Sequence, residues 1–115
     1  MPERELIVGF GTLLKFKEVG DVKRVGVVIN VGCGNWCSTA TLRENEKGEK
    51  TFLSAGGTIE DNIDEIIGQM SVQEVFKAAE LGQRLAGLKG LSDPLKKILE
   101  ENSKAKPRIL NRSNF

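Results

Sequence analysis

The sequence contains no histidine and no tyrosine among its 115 residues. Histidine is the usual acid–base group at neutral pH and supplies the imidazole ligand of many metal sites. Its absence excludes Ser-His-Asp triads, Cys-His activation of a nucleophile, and every metal site that requires imidazole. An enzyme built from this chain would have to rely on cysteine, carboxylates and lysine, and these residues form no convincing constellation. The sequence therefore favours a non-enzymatic protein.

Long apolar runs are also missing. No run approaches the ~18 apolar residues of a membrane span, and the N-terminal Met-Pro-Glu-Arg-Glu lacks the apolar stretch of a signal peptide. Two cysteines are too few for the disulfide framework of a small secreted domain. We therefore expect a cytoplasmic protein with no membrane partner. Its length predicts a single globular domain, over residues 1–103, followed by a basic C-terminal arm over residues 104–115.

The first half of the chain predicts β structure. The near-continuous apolar run Val22–Val31 is typical of a central strand buried on both faces. Gly20-Asp21 before it is typical of a two-residue hairpin turn, and Asn45–Gly48 predicts a polar turn between two shorter strands. Residues 40–50 could instead form a helix, which would turn the arrangement into an α/β sandwich.

The second half predicts helices. The spacing of Ile59, Ile63, Ile66, Ile67 and Met70 fits one face of a helix, with Thr58 as its N-cap. Ser71 to Glu74 has the pattern of a capping box, and Asp93-Pro94 predicts the start of a last, short helix. No regular structure is expected from Ser103 onward. The predicted class is α+β: a small antiparallel β-meander or half-barrel over residues 5–54, covered by two to three C-terminal helices.

Both cysteines lie in one loop, Cys33 and Cys37, around the only tryptophan. Two thiolates supply half of a zinc or iron–sulfur site, so such a site would have to be shared across a symmetric dimer. The pair could also form a thiol–disulfide couple. The competing and favoured interpretation is a turn at the end of the central strand, in which the thiols pack as small apolar groups. The other residues of the loop are Gly32, Gly34, Asn35 and Trp36. No cofactor is therefore expected.

A glycine pair offers a weaker candidate. Gly56, Gly57 and Thr58 are predicted to form a turn between a strand and a helix, which could present N–H groups to an anion. The acidic residues that follow would repel a phosphate, and a plain turn is favoured. These acids, Glu60, Asp61, Asp64 and Glu65, are themselves interpreted as a solvated face rather than as metal ligands.

Charge separates the C-terminal arm from the segment before it. Residues 59–102 contain five Lys/Arg and nine Asp/Glu, a net charge of −4, whereas residues 103–115 contain four Lys/Arg and no acid, a net charge of +4. Residues of the arm that could form a contact are Arg108, Ile109, Leu110, Arg112 and Phe115. We expect the arm to dock on the helices of its own or a neighbouring copy, in a small homo-oligomeric assembly domain. A thiol-redox or metal-binding accessory protein is the alternative. Weak nucleic-acid binding by the arm is a further alternative that the balanced charge disfavours.

Overall fold

The computed structural model describes residues 5–18, 20, 24–30, 36–59 and 63–111. These residues form seven strands and two helices. The strands are β1 (Glu5–Val8), β2 (Thr12–Phe16), β3 (Val25–Asn30), β4 (Trp36–Glu44), β5 (Lys50–Ile59), β6 (Ile63–Gln69) and β7 (Arg108–Asn111). The helices are α1 (Val72–Leu85) and α2 (Asp93–Asn102).

Five of the strands form one antiparallel sheet in the order β5-β4-β3-β2-β6, and β1 pairs with β7 in a separate two-stranded sheet. Together with the two helices these sheets confirm the predicted α+β class. The alternative helix near residues 40–50 is wrong, because β4 and β5 pair as a hairpin across this segment. At the hairpin turn, the side chain of Asn45 accepts hydrogen bonds from the backbone N–H groups of Lys47 and Glu49. Gly48 has a φ of +77° there, a conformation that glycine adopts without strain.

Strand β3 lies at the centre of the five-stranded sheet, as its apolar sequence predicts. Its four inner residues are all buried, since each face of the sheet packs against its own group of apolar side chains. On one face Val28 packs with Leu14 and Phe16 of the neighbouring β2. On the other face Val27 and Ile29 pack with residues of both helices. The main apolar core is therefore built around this strand.

Helix α1 begins at the capping box that the sequence predicts. The Ser71 hydroxyl accepts from the N–H of Glu74, and the Glu74 carboxylate accepts from the N–H of Ser71. Helix α2 starts at Asp93, within the pair that predicts its start, and Ser92 is its N-cap. Neither described helix has the length and hydrophobicity needed to cross a membrane.

The helix predicted from the isoleucine spacing is absent from the described residues. Residues 63–69 form β6, which pairs with β2 at the edge of the sheet. Isoleucine is β-branched and favours extended structure. Two irregularities in the β2–β6 register shift the side-chain alternation, so that Ile66 and Ile67 are both partly exposed while Ile63 is buried. A bulged strand can therefore carry isoleucines at the same three- and four-residue spacings as one face of a helix.

The C-terminal arm also departs from its prediction. Arg108–Asn111 is a strand rather than irregular chain, and it pairs with β1 of the same molecule. Arg112 and Phe115 lie outside the described residues.

The apolar residues Leu85 and Leu88, near the end of α1, are exposed.

Candidate functional site

The cysteine loop is only partly described. Cys33, Gly32, Gly34 and Asn35 lie outside the described residues, so of the predicted cysteine pair the structure describes Cys37 alone. Trp36 and Cys37 belong to β4, where their backbones lie opposite Ile59 and Thr58. The Cys37 side chain is 0% exposed and belongs to the apolar group of Val8, Leu14, Phe16, Val28 and Ile63. For Cys37 this placement supports a packing role, because a buried sulfur cannot meet a ligand from solvent.

The glycine pair does not form the predicted turn before a helix. Gly56, Gly57 and Thr58 continue β5, opposite Thr39, Ser38 and Cys37 of β4. Backbone N–H groups in such a ladder are directed along the sheet rather than gathered around an anion. The turn-and-helix geometry that an anion loop would require is therefore not formed here.

The acidic cluster is described only in its second half. Asp64 and Glu65 lie on β6 and are exposed, which agrees with a solvated face although the element is a strand. A carboxylate oxygen of Asp64 lies 3.4 Å from the Lys15 amine. Glu60 and Asp61 lie outside the described residues. In the part of the chain that the structure describes, no group of three or more potential ligand residues could hold a metal ion.

The strands β1 and β7 form what we call the terminal ribbon. Ile7 lies directly opposite Ile109, and their side chains are 65% and 51% exposed. The neighbouring Val8 is fully buried on the other side of β1 and packs in the core. Leu110 lies opposite Leu6 in the register. One face of the terminal ribbon thus packs on the core, and the other face exposes the apolar pair Ile7 and Ile109 to solvent.

A second surface feature is a cavity of about 460 Å³ on the five-stranded sheet, which we call the sheet groove. Each of the five strands contributes at least one residue to its lining. These residues are Leu13, Val25, Leu42, Arg43, Glu44, Lys50 and Ile67. Leu13 and Leu42 also pack against the apolar core beneath the helices, so the sheet groove continues that core out to solvent.

A smaller cavity, of about 210 Å³, lies between the β4–β5 turn and α1. The carboxylates of Glu49 and Glu74, which line this cavity, already accept hydrogen bonds. The amide of Asn45 and then the amine of Lys77 lower the pKa of Glu49, and the N–H and then the hydroxyl of Ser71 lower the pKa of Glu74. Both carboxylates are therefore ionised at neutral pH and serve the turn and the helix cap, rather than acid–base chemistry.

Comparison of the chain with protein-family models, curated proteins and solved structures finds no match in any of the three.

The sequence predictions missed both the terminal ribbon and the sheet groove. The paired apolar dipeptides Leu6-Ile7 and Ile109-Leu110 carry the only local signal for the ribbon. Their pairing joins residues about one hundred positions apart, which no local pattern indicates. The sheet groove carries no sequence signal, because its lining residues become neighbours only when all five strands are assembled.

Proposed function

We propose that this chain is a small assembly domain that associates with a second copy of itself through the terminal ribbon. The exposed pair Ile7 and Ile109 is the observation that carries this proposal. Burying an isoleucine side chain is worth about 1.5–3 kcal/mol, so a solvent-facing pair is a favourable contact for a similar surface. In a two-fold contact the same patch faces itself, and each isoleucine therefore contributes twice.

The charge of the arm supports this contact. Lys104 and Lys106 precede β7 and are exposed. They belong to a segment with a net charge of +4, which follows a segment with a net charge of −4. Opposite charges on the two segments favour an approach of two copies and orient it.

We also infer that the five-stranded sheet curls into a half-barrel, the shape that the sequence offers beside a meander for residues 5–54, although the sheet includes β6 and not β1. Four peptide steps join Ile59 at the end of β5 to Ile63 at the start of β6, a reach of at most about 15 Å. These strands are the two edges of the sheet, which lie about 19 Å apart when five strands are flat. Bringing these edges together leaves the terminal ribbon as the more accessible place for another copy to pair.

Light scattering coupled to size-exclusion chromatography tests the proposal over a dilution series of the full chain. Two strands of four residues each bury less surface than a standard protein–protein interface. We therefore expect a dimer with a micromolar dissociation constant. Ile7→Thr keeps a β-branched residue but removes apolar surface, and it should weaken dimerisation at least about tenfold. Leu53→Thr is the matched control, because Leu53 is 61% exposed and belongs to β5 of the five-stranded sheet, not to the ribbon. A monomeric wild-type chain at all concentrations would refute self-association.

A further inference from the structure

The sheet groove is a surface distinct from the terminal ribbon, and an inference drawn from it does not rest on self-association. Its residues come from β6, β2, β3, β4 and β5, so the groove runs across the strands. Adjacent strands lie about 4.8 Å apart, so the lining spans four strand spacings, about 19 Å measured along the sheet surface. The lining residues are therefore spread over the width of the sheet rather than gathered on one strand.

The lining is apolar over most of this width. Four aliphatic side chains contribute to it, one from each of four strands: Leu13, Val25, Leu42 and Ile67. The Ile67 side chain is 47% exposed. A volume of about 460 Å³ lies within the range of sites that hold small organic molecules, which are usually apolar with a few polar groups.

The polar groups lie together at the β4–β5 side of the groove. Arg43, Glu44 and Lys50 supply two positive charges and one negative charge to the lining, and Lys50 also attracts the carboxylate of Glu74 in the neighbouring smaller cavity. The Lys50 amine is 3.8 Å from the Glu44 carboxylate, and both side chains are partly exposed. A pair of this length and exposure contributes little, so Lys50 can exchange Glu44 for another anion at small cost.

We propose that the sheet groove binds a small amphipathic monoanion with an unbranched aliphatic chain and a terminal carboxylate, the chemistry of a fatty acid. The aliphatic chain lies along Leu13, Leu42 and Ile67 and removes their surface from water. The carboxylate lies at the β4–β5 side and pairs with the Lys50 ammonium, with the Arg43 guanidinium as a second positive charge in the lining. An apolar lining with Arg43 and Lys50 at one side favours an anionic amphipathic ligand over a cationic one of the same chain length.

Isothermal titration calorimetry of the full chain with decanoate, kept below its micelle-forming concentration, tests the proposal. We expect saturable one-to-one binding. Decyltrimethylammonium has the same chain length with the opposite charge, and it should bind at least about tenfold more weakly. Lys50→Gln should weaken decanoate binding about threefold to fivefold and leave decyltrimethylammonium binding unchanged or stronger.

The apolar half of the site is tested by Ile67→Asn, which should weaken binding of both ligands about tenfold. Leu53→Asn is its matched control and should leave both affinities unchanged, because Leu53 is exposed but does not line the groove. Ile67→Thr replaces Ile67→Asn if the latter does not fold, since threonine preserves the β-branched shape.

Three results would overturn the proposal. The first is the absence of saturable decanoate binding to the wild-type chain. The second is binding that neither Lys50→Gln nor Ile67→Asn alters, which would place the ligand elsewhere. The third is the conversion of a dimeric wild-type chain to a monomer by Ile67→Asn, which would show that a second copy covers the groove.

Discussion

Ile7 of β1 lies directly opposite Ile109 of β7, and more than half of each side chain faces solvent. The two residues come from opposite ends of the chain, so their pairing links the N-terminal and C-terminal segments. One position along β1, Val8 is completely buried in the core. The terminal ribbon therefore has one face that packs in the core and one exposed apolar face.

Deleting residues 104–115 removes β7 and with it the strand that pairs with β1. Val8 should then lose part of its cover, so we expect the free energy of unfolding to fall by about 2–4 kcal/mol. Urea unfolding of the full and shortened chains measures this loss. An unchanged midpoint would show that β1 holds its place without β7. Replacing Lys104 and Lys106 by glutamine controls for the loss of charge and should leave stability nearly unchanged.

Helix α1 passes close to β5 at Gly82. A Cβ atom added there would lie 2.4 Å from the carbonyl oxygen of Phe52 on β5. Alanine has the higher helix propensity by about 1 kcal/mol, so propensity alone predicts that Gly82→Ala stabilises the protein. We expect a net loss of about 1–3 kcal/mol instead, because the backbone of β5 cannot yield as a flexible side chain can. Thermal unfolding measures the sign.

The control for this substitution is Gly90→Ala, where an added Cβ would meet no atom within 4 Å. Its effect on the free energy of unfolding should stay within about 0.5 kcal/mol. Equal effects at the two positions would contradict the close approach between α1 and β5.

The capping box of α1 makes the stability of the fold depend on pH. The pKa of Glu74 is lowered from its usual 4.5, first by the backbone N–H of Ser71 and then by its hydroxyl. Because the folded pKa is the lower one, Glu74 stabilises the fold above pH 4.5, and this stabilisation is lost as the pH falls through the folded pKa. Glu49 has a lowered pKa for the same class of reason and acts in the same direction.

We therefore expect denaturant midpoints to fall as the pH is lowered through 4.5 and below, and to fall less in Glu74→Gln than in the wild-type chain. Glu101→Gln, on the exposed side of α2, removes the same charge outside the cap and serves as the control. At neutral pH, Ser71→Ala should cost about 1 kcal/mol, the usual contribution of an N-cap side chain. A Glu74→Gln variant with the full acid dependence of the wild-type chain would contradict the role assigned to this cap.

Burial of Cys37 predicts low thiol reactivity. In a Cys33→Ser variant, where Cys37 is the remaining thiol, a disulfide reagent should react at least about 100-fold more slowly in buffer than in urea, because reaction requires the core to open. Absorbance of the released thiolate measures both rates. Equal rates would mean that the Cys37 sulfur is accessible to solvent, and they would favour the alternative hypothesis of a thiol-redox or metal-binding protein.

Local patterns predicted those parts of the fold that local interactions determine. Apolar β3, the Asn45–Gly48 turn and the Ser71–Glu74 capping box each have a short sequence signature with one favoured structure. The isoleucines of β6 have no such unique signature, because a bulged edge strand and an amphipathic helix share their spacing. Only pairing with β2, about fifty residues away, distinguishes the two.

The candidate surfaces were less predictable than the fold for the same reason. The terminal ribbon depends on a contact between the two ends of the chain, and the sheet groove depends on five strands in a non-sequential order. Charge and apolarity predict Arg108 and Ile109 of the C-terminal arm as contact residues, but no local pattern predicts that their partner strand is β1.

Sedimentation equilibrium of the wild-type chain and of the Ile7→Thr/Ile109→Thr double variant tests the central claim most directly. We predict a monomer–dimer equilibrium for the wild-type chain, with a dissociation constant raised at least about 100-fold in the double variant while the unfolding midpoint of its monomer changes little. A wild-type chain that stays monomeric, or a double variant that associates as strongly as the wild type, would contradict an assembly domain that uses the terminal ribbon.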